Sequence, residues 1–254
     1  MGVWDIYEER ISNSGATKRE AILNRTKRSI TSKMPDNLSS QEVLINGVPQ
    51  TVAIIDSDNL NQKKILSLPD EDFDCGDMIE WAGSHWMITE KDANTEVRAK
   101  GLLLQCNYLL KWIDENDNII EQWCYVEDGT KYLTGEYEDR LFITTRGDSR
   151  IAITISRNEH TVKLSRANRF IIDDLEHEDK LAYVLSKPLR FGKTYNGKGV
   201  FGFVCQEVVT TDDDNIELCI ADYYKHFPRT TAVDPSIKVQ IDSNNTNNGK
   251  KVWL

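Results

Sequence analysis

The 254-residue sequence contains no apolar run that approaches the roughly 18 residues needed to span a bilayer. Its first ten residues, MGVWDIYEER, lack the basic start and apolar stretch of a secretory signal peptide. They also lack the serine or threonine of a myristoylation signal. We therefore expect this chain to have no contact with a membrane.

Cysteine and histidine are both scarce, with five and four residues respectively, and no CxxC motif is present. Widely spaced cysteines of this kind are typical of reduced, buried thiols in a cytosolic product. A zinc site or a nucleophile with a histidine base would need side chains that the sequence keeps far apart. We expect no catalytic residue, no cofactor site and no metal site.

Positive charge is also short, because the formal net charge is −10. A general nucleic-acid binder needs lysine and arginine to replace the counterions of phosphate, so this class is disfavoured. An acidic chain can still surround DNA without gripping it.

The first 33 residues are the exception, with seven basic and four acidic side chains. Thr17 and Glu20 form a capping box, which predicts a helix from about 17 to 31 within a basic helical arm of residues 1–40. The apolar stripe of this helix is thin, so it is either a solvated surface helix or an arm that docks on an acidic neighbour. The candidate docking residues are Lys18, Arg19, Arg25 and Arg28.

From residue 41 onward the pattern is β. Asn46-Gly47 lies between apolar flanks and predicts a tight hairpin, and a second hairpin is expected to turn at Ala82-Gly83-Ser84. The run GLLLQCNYLLKWI at 101–113 alternates over eleven residues and predicts one long strand. The expected barrel-core side chains are Trp81, Trp86, Leu104, Tyr108, Trp112 and Trp123.

We predict a mainly β fold, with a small barrel core built from hairpins. The barrel is assigned to residues 41–172, an additional C-terminal β region to 173–229, and a linker with a polar tail to 230–254. One hairpin is expected to turn near Asn158, with 162–164 as its return strand, and IELCIADYY at 216–224 is expected to be extended.

The remaining motifs do not predict catalysis. Gly192-Lys193-Thr194 lacks the first glycine of a P-loop, since position 187 is lysine. The stretch DEDFDCGD at 70–77 resembles the start of an EF-hand loop but lacks its last glutamate. Such charged loops are instead expected to face a ring neighbour or a channel, where carboxylates would repel DNA phosphate. They supply Asp72, Asp74, Lys193, Lys198, Asp212, Asp213 and Asp214.

Several short motifs follow one another along the chain: INGVPQTVAIID, then GDMIEW and HWMIT on either side of a turn, then KG before CNYLLKW. Over residues 45–172, half of the chain, this pattern resembles the head closure, or stopper, proteins of the neck between head and tail of tailed bacteriophages. The resemblance implies a small β-barrel and a ring of identical copies, such as a hexamer or dodecamer, with no catalytic residues.

The resemblance also implies a place in the virion, after assembly in the cytoplasm of the host bacterium. The ring would lie between a portal or adaptor protein above and a tail terminator or tail protein below. It would close the DNA-filled head, let DNA pass without sequence-specific binding and offer the docking surface for the tail. The alternatives are a tail or baseplate adaptor, and a cytosolic hydrolase that uses the acidic loops.

Overall fold

The computed structural model describes residues 2, 4, 15, 17–129, 149–173, 180–191 and 193–229. These residues form a mainly β protein, as predicted. The helices are α1 (Lys18–Lys33) and α2 (Tyr223–His226). The strands are β1 (Ser40–Ile45), β2 (Val48–Asp56), β3 (Gln62–Ser67), β4 (Met78–Trp81), β5 (Ser84–Lys91), β6 (Lys100–Gln105), β7 (Tyr108–Ile113), β8 (Ile119–Asp128), β9 (Arg150–Ser156), β10 (Arg169–Ile171), β11 (Ala182–Leu189), β12 (Thr194–Tyr195) and β13 (Lys198–Val208). None of the helices in these ranges is long and apolar enough to cross a membrane.

The first six strands close into a barrel in the order β1-β2-β3-β6-β5-β4. The predicted turn at Asn46-Gly47 is confirmed, because both residues have positive φ and join β1 to β2 with Ile45 opposite Val48. Strand alternation sends one face inward, as at Val43 and Ile45, and leaves the other face exposed. The buried barrel cluster is Val43, Ile45, Val52, Ile54, Ile65, Phe73, Ile79, Trp86, Ile88, Ala99 and Leu103.

The second sheet is antiparallel and runs in the order β10-β11-β13-β9-β8-β7, with β12 paired to β13. Its two ends approach each other, and the Tyr108 hydroxyl on β7 donates a hydrogen bond of 3.2 Å to the Ile171 carbonyl on β10. The sheet is therefore barrel-like and encloses a core of its own. Its fully buried members include Leu110, Cys124, Ile153, Ile155, Phe170 and Cys205.

The prediction of one long strand over 101–113 is wrong, because the chain leaves the barrel in the middle of this run. The Cys106 amide donates to the His85 carbonyl in the barrel, whereas the Asn107 side chain donates to and accepts from the backbone of Val126 in the second sheet. Asparagine often replaces ladder bonds with such side-chain bonds. The inward face also changes, from Leu103 in β6 to Leu110 in β7.

The six predicted core side chains are consequently divided. Trp81 and Trp86 belong to the barrel, and Tyr108 and Trp112 belong to the second sheet. Trp123 packs where the two sheets meet, and Leu104 lines a cleft between them. The ranges 41–172 and 173–229 stay predictions as domain divisions, although strands from the first of them lie in both sheets.

Two other predicted strands are wrong. Residues 158–164 form turns, because the Asn158 side chain accepts the amides of His160 and Thr161. β9 pairs with β8 and β13 instead. The region 216–224 turns because Cys219 and Asp222 have a φ of 56°, which an extended strand does not allow.

The sheets meet in a small buried cluster formed by Cys75, Met87, Cys106 and Val200. The Ser156 hydroxyl of β9 donates to the Gly76 carbonyl in the loop before β4, so a buried polar bond also crosses this junction. We call this contact region the junction. It joins the barrel to the second sheet through packing and hydrogen bonds as well as through the chain itself.

Candidate functional site

Helix α1 lies on the outside of the barrel. The predicted capping box is confirmed, because the Thr17 hydroxyl accepts the Glu20 amide and the Glu20 carboxylate accepts the Thr17 amide, each at 3.2 Å. None of the helical residues is buried. This makes α1 a surface helix, whose charged side chains remain accessible.

Ion pairs attach α1 to the barrel. Arg19 donates to both oxygens of Glu96, at 2.7 and 2.9 Å, and the Lys27 ammonium lies 2.7 Å from Asp70. Exposed pairs of this kind each contribute little, about 0.5 kcal/mol. Their geometric effect matters more, because they hold the basic helix beside the loops that carry Asp70 and Glu96.

All four predicted docking residues are exposed on α1. Arg19 forms an ion pair with Glu96 of the barrel, and Arg25 borders a groove between the helix and the loop before β6. Lys18 lies in the first helical turn and Arg28 near the middle. Their role in docking stays a prediction.

Four of the predicted loop residues come together at the junction. Lys91 of β5 lies 2.8 Å from Asp72 and 3.1 Å from Asp74, and Lys198 of β13 pairs with Asp74 from the other side. Lys193 reaches across to Glu90 at 2.8 Å. These loops therefore exchange ion pairs between barrel and second sheet.

The pKa of Asp74 reflects this setting. The Lys198 hydrogen bond lowers it, partial burial acts in the opposite direction, and Lys91 adds to the lowering. The net pKa lies below the usual value of an aspartate. Asp74 is therefore a charged partner for both sheets near neutral pH.

The acidic loop of 212–214 divides into different environments. Asp214 is buried, and its carboxylate accepts two hydrogen bonds from Arg169, at 3.0 and 2.8 Å. Asp212 is exposed, and Asp213 lies 3.9 Å from Lys225. Of the three, Asp212 and Asp213 are the side chains that a neighbour could reach.

Burial acts to raise the pKa of Asp214, but the amides of Asp222 and Thr211 and the guanidinium of Arg169 outweigh it and lower the pKa. The amide contacts are 2.8 and 2.7 Å long. Asp214 thus organises the loop and ties it to β10 through Arg169. The sequence alone does not distinguish Asp214 from the neighbouring Asp212 and Asp213.

The acids considered for hydrolysis have partners within the chain. Asp72 and Asp74 bind Lys91, and Asp77 accepts the Asn46 side-chain amide at 2.9 Å and the Asp74 backbone amide at 2.6 Å. Among the described residues no group of three or more His, Cys, Asp or Glu side chains is arranged to hold a metal ion. These contacts order the loop that carries Asp72, Asp74 and Asp77.

The hairpin predicted at 82–84 is confirmed. β4 and β5 pair from Trp81–Ser84 to Met78–Met87, and Trp81 packs on Trp86 with ring centroids 5.6 Å apart. His85 faces away from the barrel interior and stacks on Trp123 of the second sheet. Its contact belongs to the junction.

One hairpin was missed in the sequence. β12 and β13 turn at Asn196-Gly197, with φ values of 49° and 82°. The Asn-Gly pair between Tyr195 and Lys198 is the signal that could have found it. This hairpin places Lys198 against Asp74.

Residues 7–104 match a family model described as the YomX N-terminal domain. The match ends one residue before the last barrel strand, β6, ends at Gln105. The match supports the broader part of the resemblance described above, namely that this is a phage-associated protein.

No curated protein matches the chain. Among solved structures, one titled "MrkH, A novel c-di-GMP dependence transcription regulatory factor" aligns over 76% of this chain and 86% of that chain. The identity is 8% and the TM-score is 0.23. A TM-score of this size carries no inference about the present fold or function.

Proposed function

We propose that this protein is a structural subunit of the phage neck. It forms a ring between the portal or adaptor protein and the tail, closes the DNA-filled head and presents the docking surface for the tail. The observation that carries the proposal is a barrel tied to a second sheet at the junction, with a basic helix left accessible on the outside. The match to a phage-associated domain supports it.

A connector must transmit position from one neighbour to the next. The junction suits this task because apolar packing around Met87 and Val200 is combined with the Ser156–Gly76 hydrogen bond and with ion pairs at Asp74. Rings of identical subunits use head-to-tail interfaces that close by rotation. A subunit whose two sheets are held at a fixed angle favours a ring that closes with one particular number of copies.

The basic helix is the proposed docking element. Lys18, Arg25 and Arg28 are exposed on α1, on a chain whose remaining residues are strongly acidic. Complementary charge steers association and selects the partner more than it adds affinity. The acidic side chains Asp212 and Asp213 are proposed to face a neighbour or the DNA channel, where they repel phosphate.

Deletion of the gene from the phage tests the position in the virion. A head closure protein predicts heads that release their DNA, together with free tails. A tail or baseplate adaptor predicts DNA-filled heads without functional tails, and such particles in electron micrographs would replace the proposal by that alternative. Complete infectious virions would overturn both.

Charge reversal of the arm tests docking. The variant Lys18→Glu, Arg25→Glu, Arg28→Glu is expected to fold, since these side chains are exposed, and to reduce neck assembly. Circular dichroism checks the fold, and the count of tailed particles checks assembly. Normal numbers of full, tailed virions would show that α1 is not the docking element.

We propose that the protein acts without catalysis. Alanine at Asp72, Asp74 and Asp77 is then expected to reduce infectivity only in proportion to the weakening of the junction, which a lower melting temperature would report. If a purified chain hydrolyses a substrate and this triple variant abolishes the activity while keeping its melting temperature, the hydrolase alternative replaces the connector.

A further inference from the structure

Helix α1 and the loop before β6 border a groove of about 410 Å³. Three cationic side chains line it: Arg25 and Lys33 from the helix and Arg98 from the loop. Its lining contains no carboxylate, and within the described residues none of these three cations has an ion pair. The groove therefore concentrates uncompensated positive charge.

The contrast with the other cations of this surface is informative. Arg19 and Lys27 are neutralised by Glu96 and Asp70, in ion pairs that join the helix to the barrel. The groove cations are additional to them. A positive groove that has no carboxylate partner among the described residues is suited to receive a carboxylate from outside the subunit.

The groove is not purely polar. Ile30 and Met34 form part of its lining, and Met34 is buried at 4% exposure. An apolar surface beneath a cationic rim fits a peptide that carries both an acidic and an apolar side chain. A DNA backbone offers phosphate but no apolar side chain for this surface, and the net charge of −10 repels an extended polyanion.

We infer that this groove binds an acidic segment of a second copy of the same chain, and so forms a contact between adjacent subunits of the ring. The inference rests on the proposed function and names its partner. We choose a second copy as the partner because of how charge is distributed along the chain. The first 33 residues carry a net charge of +3, and the remaining residues carry −13. Each subunit thus offers both halves of a head-to-tail contact.

Sedimentation velocity of the purified full chain tests self-association. We expect concentration-dependent oligomers at about 0.05 M salt that dissociate at about 0.5 M salt, because screening weakens exposed charge pairs. The variant Arg25→Glu, Lys33→Glu, Arg98→Glu is expected to weaken association about 100-fold, since three attractive contacts become repulsive. The milder variant Arg25→Gln, Lys33→Gln, Arg98→Gln should weaken it in the same direction.

A matched control separates the groove from the overall field. Lys64→Glu, Arg166→Glu, Lys187→Glu changes the net charge equally at exposed cations outside both α1 and the groove lining. This control should associate like the parent chain. Equal weakening by the groove and control variants would overturn the inference, as would a parent chain that stays monomeric at about 100 μM in low salt. Circular dichroism melting confirms that each variant is folded.

DNA is the competing partner, and a binding titration with short duplex DNA at physiological salt distinguishes it. Binding by the parent chain that the groove variant loses and the control keeps would overturn the peptide inference in favour of DNA. A different result would overturn the proposed function, namely complete infectious virions after deletion of the gene. If the purified chain is monomeric while deletion of its gene still yields heads that leak DNA, only the inferred contact between copies is overturned.

Discussion

The imidazole of His85 lies on the indole of Trp123, with ring centroids 4.3 Å apart and an interplanar angle of 17°. His85 belongs to β5 of the barrel and Trp123 to β8 of the second sheet. The stack therefore crosses the junction. The sequence shows His85 only as a histidine beside Trp86, next to the predicted turn at 82–84.

His85→Ala is expected to lower the free energy of unfolding by about 1 kcal/mol, because an aromatic stack between the sheets is lost. His85→Phe keeps a planar ring and should recover most of this loss. Urea unfolding of both variants measures the difference. Equal stability of the alanine and phenylalanine variants would show that the stack contributes nothing.

Gly76 has a φ of +94°, and a Cβ at this position would clash with the backbone carbonyl of Gly199. Gly76→Ala is therefore expected to destabilise the protein by about 3 kcal/mol, through backbone strain and separation of the sheets. Thermal unfolding measures the effect.

Gly83→Ala is the matched control for this prediction. Gly83 also has positive φ, at +70°, but a Cβ there meets no atom within 4 Å. We expect a cost of about 1 kcal/mol from the left-handed conformation alone. A cost at Gly76 no greater than that at Gly83 would contradict the close approach at the junction.

The Asp214–Arg169 pair predicts a dependence of stability on pH. The pKa of Asp214 is lower in the folded protein than in the unfolded chain, so the pair stabilises the fold above the unfolded value of about 4. This stabilisation is lost as the pH falls through the folded pKa. Asp74 and Asp114, whose pKa values are also lowered, contribute in the same direction.

Asp214→Asn is expected to cost about 2 kcal/mol at pH 7, because it removes one charge from a buried pair. The difference from the parent chain should shrink as the pH falls below about 4, because the unfolded aspartate is protonated first and the folded aspartate only at its lower pKa. Asp212→Asn, at an exposed position of the same loop, should change little at any pH. Urea unfolding from acid to neutral pH measures all three, and a pH-independent difference would refute the charge-based explanation.

The buried thiols predict slow alkylation. Burial raises the pKa of Cys75 to about 11 and the pKa values of Cys106 and Cys205 to about 12, and it also raises that of Cys124. Since thiolate is the reactive form, these four should react with iodoacetamide at pH 8 far more slowly in the folded chain than in urea. Peptide mass spectrometry measures labelling at each site. Rapid labelling in the folded chain would contradict their burial.

Local chemistry made several elements predictable. The capping box at Thr17 and Glu20 sets the start of α1, and Asn46-Gly47 and the turn at Gly83 set two hairpins. Each signal acts over a few residues, so no distant partner is needed to recognise it. The same rule applied at Asn196-Gly197 would have found the β12–β13 hairpin.

Nonlocal pairing was not predictable in the same way. The run at 101–113 alternates without interruption, but tertiary contacts at Cys106 and Asn107 send its halves into different sheets. Alternation reports that one face of a strand is buried, and it does not specify against which sheet. For this reason, side chains predicted to share one core lie in the cores of two different sheets.

The sequence by itself determined the mainly β character, the basic helix and the tight turns, because these depend on neighbouring residues and on composition. Only the tertiary structure decided which charges are paired. Asp74 meets Lys198 from a distant strand and Asp214 is buried with Arg169, whereas Arg25 keeps its charge accessible in a groove. Such pairing depends on distances across the fold, which spacing along the chain does not contain.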